Sequence, residues 1–286
     1  MTKDMYKHVA SLDAVENIIQ GNLKFTLVKD LNDPAELLGF FNEKEVENSL
    51  EKLRKNGHTK EQFKWLQFQH EILSVLSPDY KKSIIQRDMG QHLRSREKAD
   101  ELIRKIHIHK NTHFIKEYID KMINPIRNNV GILSLTDRLD SLPMWAHYSN
   151  VAKGFVIKFH SLEKYFNGDS TGTLNKLAPV KYCENPLGMT FDPQTQENLF
   201  FTKFSDWQYE SEYRIVRALK DCNETKSDNE KLFFHEIPPE HITEIIVGWN
   251  VSPGDKEVLK NLVNSISSTH LNIREAFISE GKVQLR

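Results

Sequence analysis

The period of the hydrophobic pattern changes twice along this chain, and that change constrains the fold more than any single motif. Residues 6–42 read as strand, helix, strand and turn. Residues 43–126 carry apolar residues at helical spacing in a background of Glu, Lys, Gln and His. Residues 131–286 return to strand-sized runs. Such a pattern predicts a single α+β domain over 1–286, with a mixed or antiparallel sheet as its core and a helical insertion at 43–126. A chain of 286 residues has ample length to bury a sizeable core.

Local signals fill in the elements. Ser11 is an expected N-cap for a helix whose apolar face is Leu12, Val15, Ile18 and Ile19, with Gly21 at the position that favours a left-handed backbone. Leu23–Leu27 alternates as a strand, and Asn32-Asp33-Pro34 is turn chemistry. In the insertion, Phe114, Ile115, Tyr118, Ile119, Met122 and Ile123 trace one helical face. Further strands are expected at Ile132–Thr136, Lys153–Phe159, Val180–Tyr182, Ser211–Arg217, Lys231–Ile237 and Ile242–Val247. A helix from Asp255 to Ile266 and a hairpin from Ile273–Ile278 and Lys282–Leu285 close the chain, while Asn167–Thr173 and Asp221–Glu230 read as polar loops.

Composition excludes several classes. A net charge of −1 gives no bulk attraction to nucleic acid, although it permits a local basic groove. Two cysteines, Cys183 and Cys222, do not make a disulfide scaffold and read as reduced cytosolic thiols. There is no zinc-type Cys/His spacing, no N-terminal apolar signal and no apolar run of membrane-spanning length. The expectation is a cytoplasmic protein with no membrane partner. No phosphate-cradling Gly motif, dinucleotide fingerprint or Gly-x-Ser-x-Gly elbow is present.

The stretch Trp207-Gln208-Tyr209-Glu210-Ser211-Glu212-Tyr213-Arg214 alternates in the manner of a strand, which predicts Glu210 and Glu212 on one face. Two like charges side by side repel, so a stability role alone is a poor account of them. Paired carboxylates can grip a sugar hydroxyl and stabilise a cationic carbon, or ligate a metal. The plain alternative is that Glu212 pairs with Arg214 and Glu210 faces water. Trp207 and Tyr209 offer a stacking wall for a flat ring. His8 on the first strand could bind ribose hydroxyls or a carboxamide, or be an ordinary exposed strand histidine. Ser134 and Thr136 share a strand face and could support a ligand or brace a carboxylate. Trp145 reads as a core or pocket-wall residue, whereas His147 and Tyr148 are equally open to ligand binding. His107, His109 and His113 fit a solvated helix face better than a metal site.

Taken together these motifs resemble the bacterial domain-of-unknown-function family 2971. The resemblance rests on Phe25 through Glu36, Leu133–Thr136, Met144-Trp145-Ala146-His147-Tyr148 with Lys153–Phe159, Val180–Tyr182, Lys203 with Trp207–Arg214, and Ile245–Gly248. The order of a histidine strand, a Ser-x-Thr strand and a Glu-x-Glu strand is also similar to the ADP-ribosyltransferase scheme. That second resemblance implies an ADP-ribosyltransferase-like fold and an NAD-dependent ADP-ribosyltransferase, of the glycosyltransferase class, or a related NAD glycohydrolase. NAD would be the substrate, with no metal. Glu212 would be catalytic, Glu210 would orient or deprotonate the acceptor, and His8 would hold the nicotinamide ribose. Ser134 and Thr136 would brace the pocket, with His147, Tyr148, Trp207 and Tyr209 completing the NAD site. The acceptor would be a protein or nucleic acid, and an antitoxin or other regulatory protein could attend it, since such families occur as toxins and anti-phage effectors. Where the scheme has His-x-Thr, this chain has His8-Val9-Ala10. The alternatives are a non-catalytic binding or antitoxin module and a metal-dependent nuclease-like enzyme.

Overall fold

The computed structural model describes residues 3–33, 127–167, 175–184, 200–227, 230–266 and 271–286. The helical insertion expected at 43–126, with His107, His109 and His113, lies outside the described residues. In chain order the elements are β1 (Met5–Val9), α1 (Leu12–Ile19), β2 (Asn22–Leu27), β3 (Val130–Thr136), α2 (Leu142–Tyr148), β4 (Phe155–Phe159), α3 (Leu162–Asn167), β5 (Ala178–Pro179), β6 (Lys181–Cys183), β7 (Thr202–Phe204), β8 (Glu212–Ala218), β9 (Asn223–Ser227), β10 (Glu230–Glu236), β11 (Ile242–Val247), α4 (Pro253–Ser265), β12 (Asn272–Ser279) and β13 (Lys282–Leu285).

The main sheet is mixed, and the domain is α+β as the pattern predicts. Its strand order is β13-β12-β11-β4-β1-β3-β2-β10-β9, with β8 joined to β3 and β5 to β8. The described pairing of β11 with β12 is parallel, whereas β4, β1, β3 and β8 run antiparallel to their neighbours. β6 and β7 form a separate parallel pair.

The strand that organises the site is β3. One of its edges pairs with β8 over all seven residues, from Val130↔Ala218 to Thr136↔Glu212. The other edge is shared: β2 pairs at Gly131 and Ile132, and β1 pairs at Thr136. Between those contacts β1 and β2 fork apart beside Ser134. The Ser134 carbonyl, which faces the fork, accepts a hydrogen bond from Lys7 Nζ at 3.1 Å. A side-chain ammonium here replaces the backbone donor a continuous strand would supply.

Strand alternation divides the sheet into two unlike faces. Met5, Val9, Leu133, Leu135, Phe155, Ile157, Ile215 and Ile245 pack with Val15, Ile18 and Ile19 of α1 and with Leu259 and Val263 of α4. The helix α1 starts where Ser11 Oγ accepts from the Ala14 N–H at 3.4 Å. It ends before Gly21, whose φ of +90° suits glycine and whose added Cβ would lie 2.6 Å from the Ile237 carbonyl oxygen. The opposite face carries Trp145, Val156 and Ile246 in a smaller cluster, beside the polar groups described below.

Two sequence expectations change. Asp221–Glu230, read as a polar loop, contains β9, which pairs with β10 from Asn223↔Phe234 to Ser227↔Glu230. As an edge strand it needs no apolar face, so its composition resembles a loop. The second change concerns Glu210, which is not on a strand. Ser205–Glu210 is a 3-10 helix, Ser211 is left-handed at φ 43°, and β8 begins only at Glu212.

Candidate functional site

The corner at Ser211 is built by contacts from other elements, which local alternation could not reveal. Thr136 Oγ1 donates to the Glu210 carbonyl at 2.6 Å. Ser141 Oγ donates to the Tyr209 carbonyl at 3.1 Å. The Glu212 N–H donates to the Tyr182 hydroxyl at 2.7 Å. Each bond satisfies a backbone group that a continuing strand would have paired in its ladder.

The turn brings both carboxylates onto one ammonium. Lys203 Nζ lies 2.7 Å from Glu210 Oε2 and 3.4 Å from Glu212 Oε2. Arg214 grips Glu212 in a fork, Nε to Oε1 at 2.7 Å and Nη2 to Oε2 at 2.7 Å. The like-charge repulsion expected of the pair is therefore cancelled by two buried cations. The plain alternative was half right, because Glu212 does pair with Arg214. Glu210 does not face water and is only 3% exposed.

The two carboxyl groups differ in their proton affinity. Burial alone would raise the Glu212 carboxyl, but Arg214 and Lys203 overcome that and hold it down at about 2. For Glu210, burial and the neighbouring Glu212 charge outweigh Lys203 and leave the carboxyl above the usual glutamate range. Tyr148 donates its hydroxyl proton to Glu210 Oε1, and Asn32 Nδ2 donates to the Tyr148 oxygen. Burial and the Glu210 contact raise the Tyr148 phenol well above its ordinary value, so it stays protonated.

His8 is buried, not the exposed strand histidine of the plain reading. Its Nδ1 is 2.9 Å from Ser149 Oγ, and its ring meets Trp145 edge-on at 5.2 Å. Burial and the nearby Lys7 charge push it down to about 3, so the imidazole is neutral at physiological pH. Among the described residues, Nε2 is buried without a hydrogen bond of good geometry, although the Arg138 backbone lies close enough to favour its protonation. Trp145 is fully buried, with Nε1 donating to the Leu139 carbonyl at 2.8 Å, as a core residue should be.

A cavity of about 220 Å³ opens at the fork. Of the nine residues singled out in the sequence, six line it: His8, Ser134, Thr136, Tyr148, Glu210 and Glu212. His147, Trp207 and Tyr209 do not. They form an aromatic row beside it, with His147–Tyr209 and Tyr209–Trp207 centroids each 6.1 Å apart. Sequence reasoning did not single out Lys7, Asn32, Tyr182, Lys203 or Arg214 as site residues. Arg214, two residues from Glu212 on the same strand, was the one with a local signal. Lys203 lies over the Trp207 ring at 4.7 Å, a contact visible only in three dimensions.

Among the described residues, no three His, Cys, Asp or Glu side chains are arranged to hold a metal ion, and no helix is long and apolar enough to cross a membrane. The segment that carries α2, β4 and the paired carboxylates can be compared with known families. Residues 144–215 match DUF2971, a family described as protein of unknown function. The DUF2971 segment thus contains His147, Tyr148, Lys203, Glu210, Glu212 and Arg214, whereas His8, Ser134 and Thr136 lie outside it. No curated protein and no solved structure matches the chain.

Proposed function

We propose that this protein consumes NAD, as an ADP-ribosyltransferase or an NAD glycohydrolase on an ADP-ribosyltransferase-like sheet. The observation that supports the reading most is the convergence of His8, Ser134, Thr136, Glu210 and Glu212, from three separate strand regions, on one cavity. In the reaction the bond between ribose C1′ and the nicotinamide nitrogen breaks, and its electron pair leaves with nicotinamide. The cationic C1′ is then captured by water or by an acceptor oxygen or nitrogen, whose proton must be removed.

The geometry distributes these tasks differently from motif order alone. Glu212 accepts from Arg214 twice and from Lys203, and Ser134 also bonds it. A carboxylate has about four lone-pair sites. Glu212 is therefore a fixed anion that steadies the developing positive charge without first gripping a ribose hydroxyl. Among the described residues the Glu210 side chain accepts from Tyr148 and Lys203, which leaves it room to receive a proton. Its raised proton affinity makes Glu210, and not Glu212, the carboxylate suited to take up a proton. His8 contacts the sugar or carboxamide, and the Trp207–Tyr209 row stacks a ring or the acceptor. Whether that acceptor is protein or nucleic acid sets the biological role, with a toxin or anti-phage effector as the corresponding cellular reading.

The saturation of Glu212 also favours a second reading, a non-catalytic binding module using the same cavity. The nuclease-like alternative fits less well, because the Lys203 ammonium occupies the space between the carboxylates that a bridging metal would need. Incubation with NAD, with free nicotinamide separated by chromatography, distinguishes these. Release by the wild type that drops roughly 100-fold or more in both Glu212→Gln and Glu210→Gln supports the enzyme. Turnover by Glu212→Gln at the wild-type rate sinks the catalytic assignment. NAD binding without release supports the binding module.

A further inference from the structure

The fork itself carries a charge that the chemistry above does not use. Lys203 and Arg214 are each in direct contact with a carboxylate. Lys7 is not: among the described residues its ammonium makes one hydrogen bond, to the Ser134 carbonyl. An ammonium has three donors. Glu212 attracts Lys7 electrostatically, but its oxygens are already engaged by Arg214, Lys203 and Ser134. Lys24, on the strand across the fork, acts on Lys7 as a like charge. The same cavity wall includes Thr26 and Asn32, whose hydroxyl and amide groups can add neutral hydrogen bonds. Asp30 also lines the cavity but is exposed to water, which screens it.

We propose that the fork between β1 and β2 is an anion site, in which Lys7 contacts a phosphate group of a nucleotide ligand. A phosphate there takes the two unused donors of Lys7 and relieves its repulsion with Lys24. It also anchors the ligand from the side of β3 opposite β8, leaving the sugar directed at Glu210. Burial and Lys24 together hold Lys7 down at about 8, the state expected of a cation awaiting its counterion. The anion site stands on the fork alone. Its assignment to a dinucleotide rests on the NAD reading above.

Titration calorimetry with inorganic pyrophosphate at constant ionic strength tests it. The wild type should bind, Lys7→Met should bind at least tenfold more weakly, and Lys7→Arg should recover part of the loss. Lys24→Met should weaken binding by a smaller factor. Where Lys7→Met does not fold, wild-type protein treated with an amine-reactive label gives the same answer: pyrophosphate should protect Lys7, located by peptide mass. Absence of pyrophosphate binding by the wild type overturns the proposal, as does equal binding by Lys7→Met or labelling of Lys7 that pyrophosphate leaves unchanged. NAD turnover without pyrophosphate binding removes the anion site and keeps the enzyme. Pyrophosphate binding without nicotinamide release does the reverse.

Discussion

The two faces of the sheet are both buried, yet they are buried by opposite means. One face closes over Leu133, Phe155, Ile157 and Ile215, each at most 1% exposed, with α1 and α4 as its cover. The other buries Lys203, Glu210, Glu212 and Arg214, also at 5% exposure or less. The apolar face gains from every side chain independently, through area removed from water. The charged face repays its desolvation only when every partner is in place. A fold can lose a methyl group from the first and adjust, but it cannot lose one charge from the second without stranding another.

The largest test of that contrast is Arg214→Met. It leaves Glu212 buried without its fork and should cost about 3–5 kcal/mol in denaturant unfolding. The double variant Glu212→Gln with Arg214→Met should regain a large part of the loss. On the apolar face, Leu133→Ala should cost about 2–5 kcal/mol, and no second substitution among the charges should rescue it. If the double variant is no more stable than Arg214→Met alone, the two faces are not held by different means.

Acidity sharpens the same comparison. His8 is pushed down to about 3 from an ordinary 6.5, so below 6.5 the unfolded chain takes up a proton that the folded one refuses. Stability therefore falls as the pH drops from 6.5 towards 3. Glu212 is held at about 2 against an ordinary 4.5, and its contribution is lost as the pH falls from 4.5 through 2. Relative to wild type, His8→Gln should flatten the first window and Glu212→Gln the second, read from unfolding midpoints across pH. A His8→Gln variant that keeps the wild-type dependence of stability on pH between 4.5 and 6.5 would sink the His8 assignment.

Smaller effects come from single hydrogen bonds. Thr136→Val removes the donor to the Glu210 carbonyl and the acceptor for the Arg138 N–H, which should cost about 1–3 kcal/mol. It should also lower nicotinamide release if Glu210 must be held in place. Ser11→Ala, on the apolar side, should cost the low end of about 0.5–2 kcal/mol, because its capping bond is long at 3.4 Å. Thermal unfolding ranks the two.

Legibility in the sequence follows the same division. α1 with its cap, and the strands of the apolar face, were readable because each residue reports its own burial through period and propensity. Their boundaries shift by only a residue or two, as at Val130 and Ser265. β9 was not readable, since an edge strand of Asn, Glu, Thr, Lys and Ser has no face to mark. In the site, the residue types on three strand regions were legible, and six of those nine residues line one cavity. The partners were not, because Lys203, Tyr182 and Asn32 acquire their roles only from neighbours distant in the chain.

Ser211 fixes how far that reading could go. A spacing of two residues looks the same in sequence whether the chain runs straight or turns between them. Here a single left-handed residue makes the distance between the carboxylates a property of a bend. Inserting or deleting one residue at 211 would not slide Glu210 along an edge. It would swing Glu210 out of reach of Lys203 while Glu212 stayed in the grip of Arg214, separating the two halves of the site without disturbing β8.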